Sequence, residues 1–208
     1  MSWSLVETRA LAAKATRGAG FSWGLAEDAG FAVQWLQSHG APGVEALAKL
    51  LEWTEKSENR CSPVRDGGKE GKPDAPFNPL ELGAALMDAK RCGYSGLGHV
   101  CQPLLLVPFI AASAPKNGCR LTLDDNSIVL GADCVFSTAN REALLPDSAF
   151  CVLSAMDDDL PASVRQMRVP EYEKTAIERL GRFAARTLAP ATEASRMAGA
   201  GAGLTDND

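Results

Sequence analysis

The sequence lacks the features of a general nucleic-acid binder and of a membrane-spanning protein. Its 21 basic residues are outnumbered by 26 acidic ones, so the formal net charge is −5, whereas nucleic-acid binding depends on neutralising phosphates with basic side chains. The longest apolar stretch, Pro103 to Ala112, is far shorter than the roughly 18 to 20 residues that cross a bilayer. We therefore expect neither nucleic acid nor a membrane as a partner.

Motifs that identify common catalytic classes are also missing. The chain has no Gly-x-Ser-x-Gly motif, no Cys-x-x-Cys pair and only two histidines. Its first residues lack the basic segment and apolar core of a secretory signal. The six cysteines are scattered between Cys61 and Cys151, which favours free, mostly buried thiols and a cytoplasmic protein. A chain of 208 residues with 46% hydrophobic content is nevertheless long enough to bury a core.

Capping residues and apolar residues at helical spacing predict four helices in the first half of the chain. Ser4 and Glu7 have the spacing of a capping box, in which each side chain binds the backbone amide of the other residue. Asn78, Pro79 and Glu81 supply the N-cap, first and third positions of the fourth helix. The expected spans are about Leu5–Thr16, Trp23–Ser38, Pro42–Thr54 and Pro79–Gly93.

After Gly98 the apolar period changes from about 3.6 to 2, which predicts strands. Pro103 and Pro108 within Val100–Ile110 predict an irregular or edge strand there, because proline cannot donate to a strand ladder. The turns are too short for parallel crossovers. The fold class is therefore α+β, with N-terminal helices and one C-terminal helix packed on a largely antiparallel sheet. Further strands are expected at Cys119–Leu130, which forms a hairpin, and at Cys134–Ser137, Ala149–Ala155 and Val164–Val169. The last helix is expected to begin at Pro170 and to end before Pro190.

One domain of ordinary size accounts for these elements. It is predicted to cover residues 1–192 and to contain a flexible charged loop at 55–78, where almost nothing apolar is available to bury. Such a long connection is either a functional lid or a disordered insertion. The Gly- and Ala-rich tail at 193–208 cannot bury enough surface to fold alone, and we expect it to be mobile.

Two clusters are candidate contacts for an anionic ligand, one at the glycine-rich corner between the first two helices and one on the last helix. Backbone amides at a helix N-terminus favour anions, and arginine forks match carboxylates and phosphates. Alternatively, the glycines provide a helix cap and close packing, and the arginines form a solvated face paired with Glu178 or Glu193. The candidates are Gly18, Gly20, Gly24, Arg179, Arg182 and Arg186.

His99 is the candidate general base, because it lies at a loop-to-strand junction and could act with Glu27 or with Asp157–Asp159. A hydrogen-bonded structural histidine is the alternative. Asp157–Asp159 could instead bind a hard cation, or be ordinary turn residues. Soft ligands for zinc could come from His99 together with Cys61, Cys92 and Cys101. The spacing of these residues matches no zinc pattern, so no metal site is predicted.

The sequence resembles a family of small alphaproteobacterial proteins of unknown function. The residues that carry this resemblance are Arg17, Gly18, Ala19 and Gly20, then Trp23, Gly24, Leu25, Ala26 and Glu27, with the tail Gly199–Asp208. It implies a bacterial cytoplasmic setting, and it implies no activity, cofactor or catalytic residue.

With no cofactor indicated, we expect an accessory protein that binds a small anionic metabolite or a partner metabolic enzyme. The alternative is a small hydrolase or lyase that uses His99 with a nearby carboxylate.

Overall fold

A computed structural model describes residues 3–56, 76–88, 95–113, 118–124, 126–130, 136–138, 144–155 and 174–188. In these ranges the helices are α1 (Leu5–Gly18), α2 (Trp23–Ser38), α3 (Gly43–Lys56), α4 (Pro79–Asp88), α5 (Val107–Ser113) and α6 (Lys174–Ala185). A short 3-10 helix covers Pro103–Leu106. The strands are β1 (Ser95–Cys101), β2 (Cys119–Leu123), β3 (Asn126–Leu130), β4 (Phe136–Thr138) and β5 (Ser148–Ala155).

Local capping begins the first two helices at the predicted residues. The Glu7 amide donates to Ser4 Oγ at 3.2 Å, and the Ser4 amide donates to Glu7 Oε2 at 2.8 Å, which confirms the capping box. Ser22 caps α2 by accepting from the Leu25 amide at 3.4 Å. Both caps satisfy amides that a helix leaves without an internal partner.

The strands form one sheet in the order β1-β5-β2-β3-β4. Every strand pair is antiparallel, and an isolated parallel bridge joins Phe77 to Val100 at the edge of β1. The predicted hairpin is present as β2 and β3, which pair from Cys119 with Leu130 to Leu123 with Asn126. The α+β fold with a largely antiparallel sheet is thus confirmed.

The irregular or edge strand predicted over Val100–Ile110 is present only at Val100 and Cys101, which end the edge strand β1, and the prediction is wrong for the residues that follow. β1 ends at Cys101, Gln102 turns the chain with a left-handed φ of 42°, and the apolar run continues as the 3-10 helix and α5. Pro103 is the first residue of its helix, a position at which a backbone amide would have no partner within the helix, so proline costs no hydrogen bond there. A short apolar run that is buried on all sides has no period that separates strand from helix.

One apolar core joins the helices to the sheet. Leu121, Ile128 and Leu153 point from the strands into the same cluster as Leu36 and Leu47 from α2 and α3. The C-terminal helix α6 packs against α1 and α3. No helix among the described residues is long and apolar enough to cross a membrane.

Some predictions fall outside the described residues. The loop predicted at 55–78 is described only at its ends: 55–56 belong to α3, and 76–78 lead into α4. Residues 57–75, the strand at 164–169, Asp157–Asp159 and the tail at 193–208 are outside the described ranges.

Candidate functional site: a cleft at the ends of the helices

The described helices meet around a cleft with a volume of about 570 Å³. This is within the range of roughly 300 to 1,000 Å³ that small-molecule sites occupy. Its walls come from the α1–α2 corner, the last turn of α3, the first turn of α4 and the end of α6. The lining residues are Ala19, Gly20, Phe21, Ser22, Leu25, Leu51, Thr54, Glu55, Asn78, Glu81, Phe183 and Arg186.

Two helices direct their N-terminal ends at this cleft. Ser22 is the N-cap of α2, and Asn78 precedes α4 and accepts from the Leu80 amide at 2.9 Å through Oδ1. Both capping residues line the cleft. Because a helix N-terminus carries partial positive charge and unpaired amides, the two ends together favour an anionic group.

Asn78 is held in place by the edge of the sheet. The Phe77 amide donates to the His99 carbonyl at 2.7 Å, and the Cys101 amide donates to the Phe77 carbonyl at 3.1 Å. Asn78 is only 2% exposed. Its Oδ1 accepts from the Leu80 amide, which fixes the side chain at the start of α4.

Arg186 is the one arginine among the described residues that line the cleft, and it is paired with a carboxylate. Its Nη2 donates to Glu55 Oε1 at 2.6 Å, and the two side chains are 48% and 49% exposed. The guanidinium carbon lies 4.6 Å from the centre of the Phe183 ring. Because a guanidinium has five N–H donors and this pair uses one, Arg186 retains donors for a second anion.

Glu81 is a second carboxyl group of the cleft, and reasoning from the sequence missed it. Burial raises the pKa of this carboxyl above its usual range. It pairs with no cation among the described side chains. The sequence alone indicates that Glu81 is an ordinary residue of the first helical turn. Only the packing of α4 shows that this residue faces a cleft.

Of the predicted arginine stripe, only Arg186 lines the cleft. Arg179 binds Glu52 of α3 through two bonds, from Nε at 2.7 Å and from Nη2 at 2.6 Å, and Arg182 lies 3.4 Å from the same carboxylate. Their partners are therefore on α3. Of the partners suggested from the sequence, Glu178 lies 3.8 Å from Lys174, and Glu193 is outside the described residues.

The three candidate glycines have different environments. Gly20 lines the cleft and has a φ of +97°, which a residue with a side chain rarely adopts. Gly18 packs against the backbone of Phe183. Gly24 is exposed in the first turn of α2 and is absent from the cleft lining. The close-packing alternative thus describes Gly18, and the helix-cap alternative describes Gly20, which directly follows the C-cap residue of α1.

His99 is exposed on β1 and is not among the described residues that line the cleft. Its ring meets that of Phe150 edge-on, with centroids 5.4 Å apart and planes at 72°. In the described part of the chain no carboxylate binds this ring, Glu27 lies on α2, and Asp157–Asp159 are not described. The pairing of His99 with Asp157–Asp159 therefore stays a prediction, and the described residues show no bond between His99 and Glu27.

The described residues contain no group of three or more side chains that could hold a metal ion. Cys101, Cys119 and Cys151 are buried cysteines that form no disulfide. Burial, with a smaller contribution from Asp124, raises the pKa of Cys151 to about 12, so this thiol is protonated at neutral pH. Cys61 and Cys92 lie outside the described residues.

These features define an α+β protein with a small-molecule-sized cleft at the ends of its helices. Residues 3–76 match the model of a family described as a protein of unknown function (DUF3726). The match covers α1, α2 and α3, and therefore the α1–α2 corner and the α3 wall of the cleft, but neither α4 nor α6. The family description indicates no activity. No curated protein and no solved structure matches the chain.

Proposed function

We propose that the protein binds a small organic molecule with an anionic group in the cleft at the ends of the helices. The observation that carries this proposal is the convergence of two helix N-caps, Ser22 and Asn78, with Arg186 on one cleft. The amides and the guanidinium supply donors for an anion. The buried side chain of Asn78 lies at the start of α4 and contributes a polar amide to the cleft.

The cleft offers the ligand an apolar floor as well as an anion site. Phe21, Leu25, Leu51 and Phe183 line it and can cover hydrocarbon. The Arg186–Glu55 pair is half exposed, and such pairs contribute at most about 1 kcal/mol. A ligand carboxylate can therefore share Arg186 with Glu55, or replace Glu55, at low cost.

A small ligand is a better match to this site than a partner metabolic enzyme. A stable protein interface needs about 800 Å² on each partner, and the cleft is a concave space of small-molecule size. For the compartment we propose the bacterial cytoplasm, which keeps thiols reduced. The buried cysteines Cys101, Cys119 and Cys151, which form no disulfide, support this proposal.

Ligand screening with a matched pair of arginine variants tests the proposed function. Small carboxylic acids are screened by thermal shift, and hits are measured by titration calorimetry on the wild type, Arg186→Gln and Arg182→Gln. Arg182 is on the same helix, is 72% exposed and does not line the cleft. We expect Arg186→Gln to weaken binding about tenfold or more and Arg182→Gln to leave it unchanged. Equal binding by wild type and Arg186→Gln, or no bound acid at all, would refute the proposal.

A further inference from the structure

We propose that the ligand is an α-amino acid with an apolar side chain, whose carboxylate binds at Arg186 and the helix N-termini and whose ammonium group binds Glu81. This inference rests on the proposed function and names the class of its ligand. Among the described residues that line the cleft, the carboxyl groups are Glu55 and Glu81, and the cation is Arg186.

Within the described lining, two carboxyl groups accompany one cation. Arg186 is already 2.6 Å from Glu55, so this pair is close to neutral, and Glu81 has no cation partner within the described chain. A partly desolvated carboxylate without a counter-charge is unfavourable. A ligand that carried only negative charge would add to the imbalance, whereas an ammonium group beside Glu81 would remove it.

The remaining lining groups match the other parts of such a ligand. The Nδ2 of Asn78 can donate to a carboxylate, and Asn78 is three residues before Glu81 on the same helix start. The N-terminal ends of α2 and α4 attract the same negative group. The ligand side chain then lies on the floor formed by Phe21, Leu25, Leu51 and Phe183, which favours an apolar side chain over a charged one.

The test compares amino acids with counterparts that lack one charged group. Leucine, methionine and phenylalanine are titrated against the full chain at neutral pH, beside 4-methylpentanoate, 4-(methylthio)butanoate and 3-phenylpropanoate, which lack the amino group. 2-Phenylethylamine lacks the carboxylate. The proteins are the wild type, Glu81→Gln and the control Glu45→Gln, because Glu45 is on α3 and does not line the cleft.

We expect the wild type to bind at least one of the amino acids about tenfold more tightly than its counterpart without the amino group. Glu81→Gln removes this preference by weakening the amino acid alone, and Glu45→Gln retains it. Tighter binding of the acid without the amino group, or a preference that persists in Glu81→Gln, overturns the inference and leaves the proposed function standing. Binding of 2-phenylethylamine as tightly as phenylalanine overturns the role of the carboxylate. If neither the amino acids nor the acids bind, both proposals fail.

Discussion

Gly18, at the end of α1, lies directly against the backbone carbonyl of Phe183 on α6. A Cβ atom at Gly18 would overlap this carbonyl, and a backbone atom cannot move away as the end of a flexible side chain can. Phe183 and Arg186 both line the cleft. The contact between the two helices therefore also sets the position of one cleft wall.

Gly18→Ala is expected to destabilise the fold by about 1 to 3 kcal/mol, since α6 must move away from α1 to admit the methyl group. Urea unfolding measures this change. Gly181→Ala is the matched control, because Gly181 lies within α6 with no atom in the space that its Cβ would occupy. The control is expected to stabilise the protein by about 0.5 to 1 kcal/mol. Equal stability of Gly18→Ala and wild type would show that the close contact is absent.

Arg179 and Glu52 join α6 to α3 through two hydrogen bonds, and both side chains are 23% exposed. A double-mutant cycle with Arg179→Ala and Glu52→Ala is expected to give a coupling energy of about 1 kcal/mol. The same cycle with Arg182→Ala is expected to give a smaller value, because Arg182 is 72% exposed and 3.4 Å from the carboxylate. A larger coupling for Arg182 than for Arg179 would contradict the geometry.

The stabilisation from Glu52 is expected to depend on pH. The hydrogen bonds from Arg179 hold the pKa of the Glu52 carboxyl below its usual range. A group whose pKa is lowered by folding stabilises the protein above its unfolded pKa, and this contribution is lost as the pH falls through the folded pKa. The destabilisation caused by Glu52→Gln should therefore be full at neutral pH and decrease below about pH 4. A constant difference between wild type and Glu52→Gln across this range would contradict the prediction.

Glu7 and Glu81 occupy the third position of their helices, yet substitution should have opposite effects on stability. Hydrogen bonds from the Ser4 amide and hydroxyl lower the pKa of Glu7, whereas burial raises the pKa of Glu81. At neutral pH the charged form of Glu7 stabilises the fold and that of Glu81 destabilises it. Glu7→Gln should thus lower the unfolding free energy at neutral pH, and Glu81→Gln should raise it. Both differences should shrink towards about pH 3, where both carboxyls are protonated in the unfolded chain. Unfolding curves at the two pH values measure the signs, and two differences of the same sign would be evidence against this assignment.

The buried thiols should resist modification in the native protein. We expect a variant with Cys61→Ser, Cys92→Ser and Cys134→Ser, which retains Cys101, Cys119 and Cys151, to react with a disulfide reagent only after unfolding. The physical reason is that burial blocks access and keeps the Cys151 thiol protonated, with its pKa raised to about 12. The number of thiols that react with the reagent is measured with and without guanidinium chloride. Full reaction under native conditions would show that these side chains are accessible.

Local signals in the sequence were sufficient for most helices and for the β2–β3 hairpin. The Ser4 and Glu7 cap and the apolar spacing of α2 depend on residues within one or two turns, so neighbouring residues determine them. Val100–Ile110 was different, because a short run that is buried throughout has no polar face to define its period. The candidate site was predicted only in part: Gly20 and Arg186 line the cleft, and Glu81 was missed.

Two similar sequence patterns show where the sequence by itself stops being informative. Ser4 with Glu7, and Asn78 with Glu81, both place a glutamate three residues after an N-cap. The sequence alone determined the first arrangement, since α1 begins in solvent and the two side chains bind each other's backbone amides. Only the tertiary structure decided the second, because residues of the α1–α2 corner, α3 and α6 line the same cleft as Glu81. The partners of Arg179 and Arg186 were decided in the same way, since Glu52 and Glu55 are distant in the sequence and are brought close by helix packing.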